Sequence, residues 1–242
     1  MAGYVKNIDM DIFSESLREI CPKFNVKALT EFQHNALINF IQGKDVFVNM
    51  PTGSGKSLVF QIAPLVEMWM SSRYIDSVVW KQDPIIIIIC PLVALMKDQV
   101  NHLNNIGFKA AYVGCEEAEK GIDNGDFMYV FISPESILSN ERWRCMLEKK
   151  PYQERLVGIV VDEAHCIVEW GTSSNNKKKT IFRIWYSRLN ELRSLVQKGV
   201  TFLALTATAT KKTKQQIFDM LELKEPVEII DNPDRPNICF VV

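Results

Sequence analysis

Short apolar runs alternate with longer amphipathic stretches along this chain, and their succession predicts an architecture. Asp45 to Asn49 reads as a strand through Val46 and Val48, and Lys56 to Met70 as a helix that begins inside a glycine-rich loop. Ile85 to Cys90 is apolar on both faces and almost wholly β-branched, which suits a central parallel strand. Ala94 to Asn105 reads as a helix, and Tyr129 to Ile132 and Leu156 to Val161 as strands. Leu189, Leu192 and Leu195 give helical periodicity to Trp185–Val196. Phe202 to Leu205 reads as a strand and Lys211 to Leu221 as a helix. Strands separated by helical patterns imply βαβ units, hence an α/β fold with a mostly parallel sheet covered on both faces. Two stretches break the rhythm: the polar run Gly171 to Thr180 reads as an exposed loop, and Asn232 to Asn237, with two prolines, as a linker.

Composition narrows this picture without changing it. The 242 residues are 47% hydrophobic, enough for one sizeable core and one domain. With 28 Lys+Arg against 29 Asp+Glu the formal net charge is -1. Any nucleic-acid binding must therefore come from a local basic patch. The six cysteines (Cys21, Cys90, Cys115, Cys145, Cys166 and Cys239) form no C-x-x-C pair and sit at no zinc-ligand spacing. They read as thiols in a reducing compartment, mostly filling the core. The N-terminus lacks the basic and apolar regions of a signal peptide. The most apolar run, Pro84 to Met96, is shorter than the about 20 residues a bilayer crossing needs. A soluble intracellular protein with no membrane partner is expected.

Two motifs carry chemistry. Met50-Pro51-Thr52-Gly53-Ser54-Gly55-Lys56-Ser57 follows a strand and opens a helix, the context a phosphate loop requires. Gly53 and Gly55 let the backbone turn tightly and, with Thr52 and Ser54, present N–H groups to phosphate oxygens at a helix N-terminus. Lys56 would reach the outer phosphates and Ser57 would offer its hydroxyl to Mg²⁺. The first position holds Met50 where the general pattern has glycine. The second motif is Asp162-Glu163-Ala164-His165, delivered by the apolar run Leu156 to Val161. Ligands of α/β sheets sit beyond the carboxyl ends of strands. Asp162 would hold Mg²⁺, and Glu163 would orient and deprotonate an attacking water. The alternative reading has both carboxylates capping a helix that begins near Ala164. Together the two motifs predict a site for a nucleoside triphosphate, ATP, with Mg²⁺.

These motifs resemble the RecQ family of superfamily 2 DEAH-box DNA helicases, in which methionine commonly opens the phosphate loop. Cys90 to Val100 resembles the family's motif Ia, Ile132 to Leu138 its motif Ib, Asp162 to Gly171 its motif II and Leu205 to Thr210 its motif III. Asp234 to Asn237 resembles the link toward a second motor domain. The resemblance covers roughly Phe24 to the C-terminus. It implies a three-layer RecA-like P-loop domain over residues 24–231, an N-terminal extension over 1–23 and the start of a linker over 232–242. It further implies an ATP-dependent 3′-to-5′ DNA helicase acting on single-stranded or forked DNA in the nucleus.

By the same resemblance Gln33 would read adenine, and Pro91 and Lys97 would meet the DNA backbone, with Leu92, Leu95 and Met96 in the core. His165, Thr206 and Thr208 would couple the nucleotide to DNA, and the Thr210 hydroxyl could join them. Trp170, Arg183 and Trp185 would contact DNA, with core aromatics beside a solvated basic loop as the alternative. Thr30 stands where the family has arginine, and the loop after Gly171 departs from the family pattern. No second RecA-like domain is legible in the 242 residues. The expectation is half a motor, completed by a second domain in cis or a trans partner. The alternative is a truncated nucleotide- and DNA-binding module.

Overall fold

A computed structural model of the chain describes residues 6–74, 79–166, 185, 188–223 and 225–231. Its centre is a sheet of parallel strands: β1 (Val46–Asn49), β2 (Ile85–Ile89), β3 (Ala110–Tyr112), β4 (Tyr129–Ile132), β5 (Leu156–Val161), β6 (Thr201–Thr206) and β7 (Val227–Ile230). They lie in the order β3-β4-β2-β5-β6-β1-β7, and every described pairing is parallel. The expected α/β class holds.

Side chains alternate across each strand, so the sheet divides its apolar residues between two faces. Val46, Val48, Ile86, Ile88, Val160, Leu203 and Leu205 enter one core. There they meet α1 (Met10–Ile20), α2 (Glu31–Ile41), α3 (Ser57–Arg73) and α4 (Val93–Asn105). Phe47, Ile85, Ile87, Ile89, Ile159, Val161, Phe202 and Ala204 enter the other. Their partners come from α5 (Glu116–Asn124), α6 (Pro134–Ser139), α7 (Glu141–Glu148), α8 (Lys150–Arg155), α9 (Leu192–Leu195) and α10 (Lys211–Leu221). The five consecutive isoleucines of β2 are all buried because this strand is covered on both faces.

The strands expected from hydrophobic runs occur within a residue of their predicted bounds. α1, α2, β3, α5 to α8 and β7 were not signalled. Residues 10–20, read as extension, form α1, whose fully buried Phe13 belongs to the same core as α3. Asp9 caps this helix by accepting from the amides of Asp11 and Ile12. Of the helix expected over Trp185–Val196, Trp185 is helical, residues 186 and 187 lie outside the described residues, and the rest holds a 3₁₀ turn, Leu189–Glu191, running into the short α9. Buried Leu189 and Leu192 are three residues apart, a spacing that a 3₁₀ turn aligns as well as an α-helix does. Among the described residues no helix is long and apolar enough to cross a membrane. The described cysteines form no disulfide: Cys21, Cys90 and Cys166 are buried, as core filling requires, while Cys145 is exposed.

Candidate active site

The strand order sets β1, β6 and β5 side by side, so the loops leaving their carboxyl ends converge. The loop after β1 carries Gly53 and Gly55 at φ +82° each, a left-handed conformation that glycine adopts without strain. Gly55 is fixed by packing as well, since a Cβ there would stand 2.6 Å from Gln33 Nε2. Lys56 Nζ donates to the carbonyls of Met50 (2.8 Å) and Pro51 (2.9 Å), across the loop it closes. Partial burial lowers its pKa, and the nearby charges of Glu163 and Asp162 oppose that shift. Ser57 is half-buried at the first position of α3, and Thr52 is exposed on the loop. Ser54 Oγ is buried with no hydrogen-bond partner.

Gln33 is buried and engaged at both ends of its amide. Its Oε1 accepts from the Thr30 amide (2.9 Å), closing a capping box at the start of α2. Its Nε2 donates to the carbonyls of Gly55 (3.0 Å) and Ser54 (3.4 Å). The residue expected to read adenine thus ties α2 to the back of the phosphate loop.

The acidic motif leaves β5 under tight main-chain control. The Asp162 amide donates to the Ile89 carbonyl (2.9 Å) and the Ala164 amide to the Leu205 carbonyl (2.8 Å). The turn is pinned between the ends of β2 and β6. Glu163 sits at φ +50°, sparsely populated for a residue with a Cβ. Its amide donates to Asp162 Oδ1 (3.0 Å). Residues 162–165 form turns, and helical geometry begins at Cys166, two residues beyond Ala164.

Asp162 is 9% exposed. Burial, followed by the adjacent Glu163 charge, raises its pKa from 3.8 to about 6, while the Glu163 amide and Lys56 pull it down. Burial likewise pushes the Cys90 thiol at the end of β2 up to about 12, so it stays protonated. Glu163 Oε2 is buried and accepts no hydrogen bond. It lies 3.2 Å from His165 Nδ1, near enough for attraction but off the line of a bond. His165 Nδ1 also lies 3.1 Å from Thr206 Oγ1. Thr206 is fully buried, and its hydroxyl meets the amide and carbonyl of Thr208, both at 3.3 Å.

The loop after β6 is joined to the phosphate loop as well. The Met50 amide donates to the Thr206 carbonyl (3.1 Å), and Asn49 Nδ2 to the Ala209 carbonyl (3.2 Å). The Asn49 contact carried no sequence signal, because only the β1–β6 adjacency brings these loops together. Thr210, expected among the site threonines, caps α10 instead by accepting from the Thr213 amide (3.1 Å).

Of the residues expected on DNA, Pro91, Lys97 and Trp185 are among the described residues. Lys97 is exposed on α4, with its ammonium 5.8 Å from the Tyr112 ring centre. Pro91 is buried. Leu92, expected in the core, is 53% exposed, because it is the extended residue that precedes the first turn of α4 and its side chain leaves the helix face that packs. Trp185 is half-buried against the second core under the Arg188 guanidinium, 5.4 Å from the ring centre. Trp170 and Arg183 lie outside the described residues, as do the basic loop and the segment Asp234 to Asn237.

Comparison with known proteins gives a consistent result. The family described as DEAD/DEAH box helicase matches residues 30–217. The ATP-dependent helicase SGS1 of Saccharomyces cerevisiae is 34% identical over 235 residues, covering 94% of this chain and 15% of that protein. The ATP-dependent DNA helicase hus2/rqh1 of Schizosaccharomyces pombe is 31% identical over 229 residues, covering 91% and 16% respectively. The ATP-dependent DNA helicase RecQ of Haemophilus influenzae is 29% identical, covering 90% and 32%. The chain therefore spans about a third or less of each of these relatives. Among solved structures, the DUF1998 helicase MrfA bound to DNA and AMPPNP superposes with a TM-score of 0.64 at 17% identity, over 96% of this chain and 31% of that one. The Pyrococcus furiosus Hef helicase domain gives 0.57 at 14%, over 85% and 38%. These structures establish the shared fold.

Proposed function

This chain belongs to the DEAD/DEAH box helicase family, and from that premise we propose that it is the ATP-binding motor domain of a RecQ-type DNA helicase. In this reading the domain binds single-stranded or forked DNA in the nucleus, ATP hydrolysis drives 3′-to-5′ unwinding of duplex DNA, and a second RecA-like domain, in cis or in trans, completes the motor. The observation that carries the reading is Glu163 Oε2: a buried carboxylate oxygen without a hydrogen-bond partner, at the end of a central strand beside a glycine loop and its lysine. A carboxylate poised in this way can accept a proton from water that approaches a phosphoryl group.

The residues present fit Mg²⁺ and a triphosphate. Asp162 and Ser57 offer hard oxygen ligands, and the loop of Gly53 and Gly55 can turn amides toward an anion. Mg²⁺ bound there would neutralise charge on the phosphate oxygens. Lys56 moves from the Met50 and Pro51 carbonyls to phosphate, exchanging neutral acceptors for charged ones. Glu163 orients water and takes its proton. His165 and Thr206 tie that carboxylate to the loop after β6, so a change at the nucleotide reaches the threonine loop and the DNA-facing elements. Gln33 holds the back of the loop, with one amide hydrogen within reach of an adenine edge once either main-chain bond is given up. Lys97, Trp170, Arg183 and Trp185 supply the DNA contacts. The buried Pro91 side chain acts by shaping the turn before α4.

Calorimetric titration with ATP and Mg²⁺, together with an ATP hydrolysis assay with and without single-stranded DNA, tests this reading. Lys56→Ala is expected to lose binding. Glu163→Gln is expected to bind like wild type and lose whatever hydrolysis the wild type shows. Unchanged ATP affinity in Lys56→Ala refutes the phosphate site, and wild-type hydrolysis by Glu163→Gln removes Glu163 from the reaction.

A further inference from the structure

We infer that Cys166 is a positioning residue: its thiol holds His165 in the Nδ1–H tautomer, which keeps a donor hydrogen directed between Thr206 and Glu163. Cys166 Sγ lies 3.8 Å from His165 Nε2, within reach of a sulfur hydrogen bond. The other face of the ring favours the same tautomer. His165 Nδ1 faces Thr206 Oγ1 at 3.1 Å and Glu163 Oε2 at 3.2 Å. A bare nitrogen there would set its lone pair against a carboxylate oxygen. A protonated Nδ1 instead donates to the threonine hydroxyl and places partial positive charge beside the carboxylate.

The Thr206 hydroxyl permits this arrangement. Its hydrogen can go to the Thr208 carbonyl at 3.3 Å, leaving its lone pairs for Nδ1–H and the Thr208 amide. With Nδ1 protonated and the ring neutral, Nε2 must accept, and the group facing it is the Cys166 thiol. The buried thiol of Cys90 does not compete for this role, because it is directed at the Leu92 carbonyl at 3.7 Å.

Glu163 gains from this because its left-handed backbone limits what else can hold the side chain, and Oε2 accepts no hydrogen bond of its own. Attraction from Nδ1–H steers that oxygen without consuming a lone pair. The consequence for hydrolysis rests on the reading of Glu163 given above; the tautomer does not.

The test needs no ATP. The chain contains three histidines, His34, His102 and His165, so a long-range ¹H–¹⁵N correlation spectrum of the labelled protein is readable ring by ring. The signal absent from His165→Asn identifies His165. At pH 8 wild-type His165 is expected to show a protonated Nδ1 and a bare Nε2. Cys166→Ala removes the donor facing Nε2 and is expected to move the ¹⁵N shifts measurably from the wild-type pattern toward the tautomer average, with His34 and His102 unmoved as evidence of an intact fold. Cys166→Ser keeps a donor hydrogen and is expected to retain the Nδ1–H pattern. A proton on Nε2 in the wild type overturns the inference, whether or not the alanine variant folds. So does an alanine variant with the wild-type pattern, or a serine variant that behaves like alanine.

Discussion

Replacing Asp162 by asparagine should make the ligand-free chain more stable while removing a ligand that the proposed ATPase needs. Asp162 is buried, and burial followed by the Glu163 charge raises its pKa from 3.8 to about 6. A carboxyl with a raised folded-state pKa favours the fold when protonated and opposes it when ionised. That favourable contribution is complete below the unfolded value of 3.8 and is lost as the pH rises through about 6. A shift of roughly two units amounts to a penalty of about 3 kcal/mol once the group is fully ionised. Asparagine has no charge to desolvate, and its side-chain oxygen can still accept the Glu163 amide that now lies 3.0 Å from Asp162 Oδ1. Asp162→Asn is therefore expected to raise the unfolding free energy by about 3 kcal/mol at pH 7.5 and by only about 1 kcal/mol at pH 4.5. The lost attraction to Lys56 works against the gain at the higher pH. Urea unfolding of both proteins at the two pH values reads the effect directly. A gain that does not depend on pH, or a loss of stability at pH 7.5, would refute the reasoning. Stability surrendered to keep a charged ligand buried is a cost commonly met at functional sites.

Two other substitutions probe the frame that holds the site. Gly158→Ala should lower stability by about 2 kcal/mol, because a Cβ on β5 would overlap the Phe40 ring of α2 and stand 3.1 Å from the Thr201 carbonyl; an unfolding midpoint equal to wild type would contradict this packing. Lys6→Ala should cost about 3 kcal/mol by leaving Glu67, 2% exposed on α3, without its ion-pair partner. The same change made in a Glu67→Gln background should cost much less, and equal costs in the two backgrounds would show that Lys6 acts by packing alone.

The phosphate loop was legible because its chemistry is local. Strand, glycines, lysine and helix lie within some dozen residues, and each constrains the backbone next to it. The Asp162–Glu163 pair was legible for the same reason, since an apolar run ending in two carboxylates is a strand delivering them to a sheet edge. α1 and α2 were missed because their apolar positions are interrupted by polar ones whose burial depends on neighbours distant in sequence. Ser16 and Gln33 are buried, each with its own hydrogen bonds. The Lys6–Glu67 pair could not be foreseen, as nothing near Glu67 in α3 announces that an N-terminal lysine will reach it. Leu92 shows the opposite failure: an apolar residue inside an apolar stretch is exposed because it sits one residue ahead of the helix.

By itself the sequence determined the α/β class, the glycine-rich loop, the acidic pair and which residues are proposed for ATP and Mg²⁺, because period, turn chemistry and motif spacing act over short stretches of chain. Tertiary structure alone decided that β6 would lie between β5 and β1. From that adjacency follow the bonds of Thr206 to His165, of Asn49 to Ala209 and of Met50 to Thr206. It also decided that Asp162 would be buried enough to hold its proton to about pH 6. Strand order and desolvation are properties of the assembled sheet, set by how whole layers pack, and no single segment of the chain encodes them.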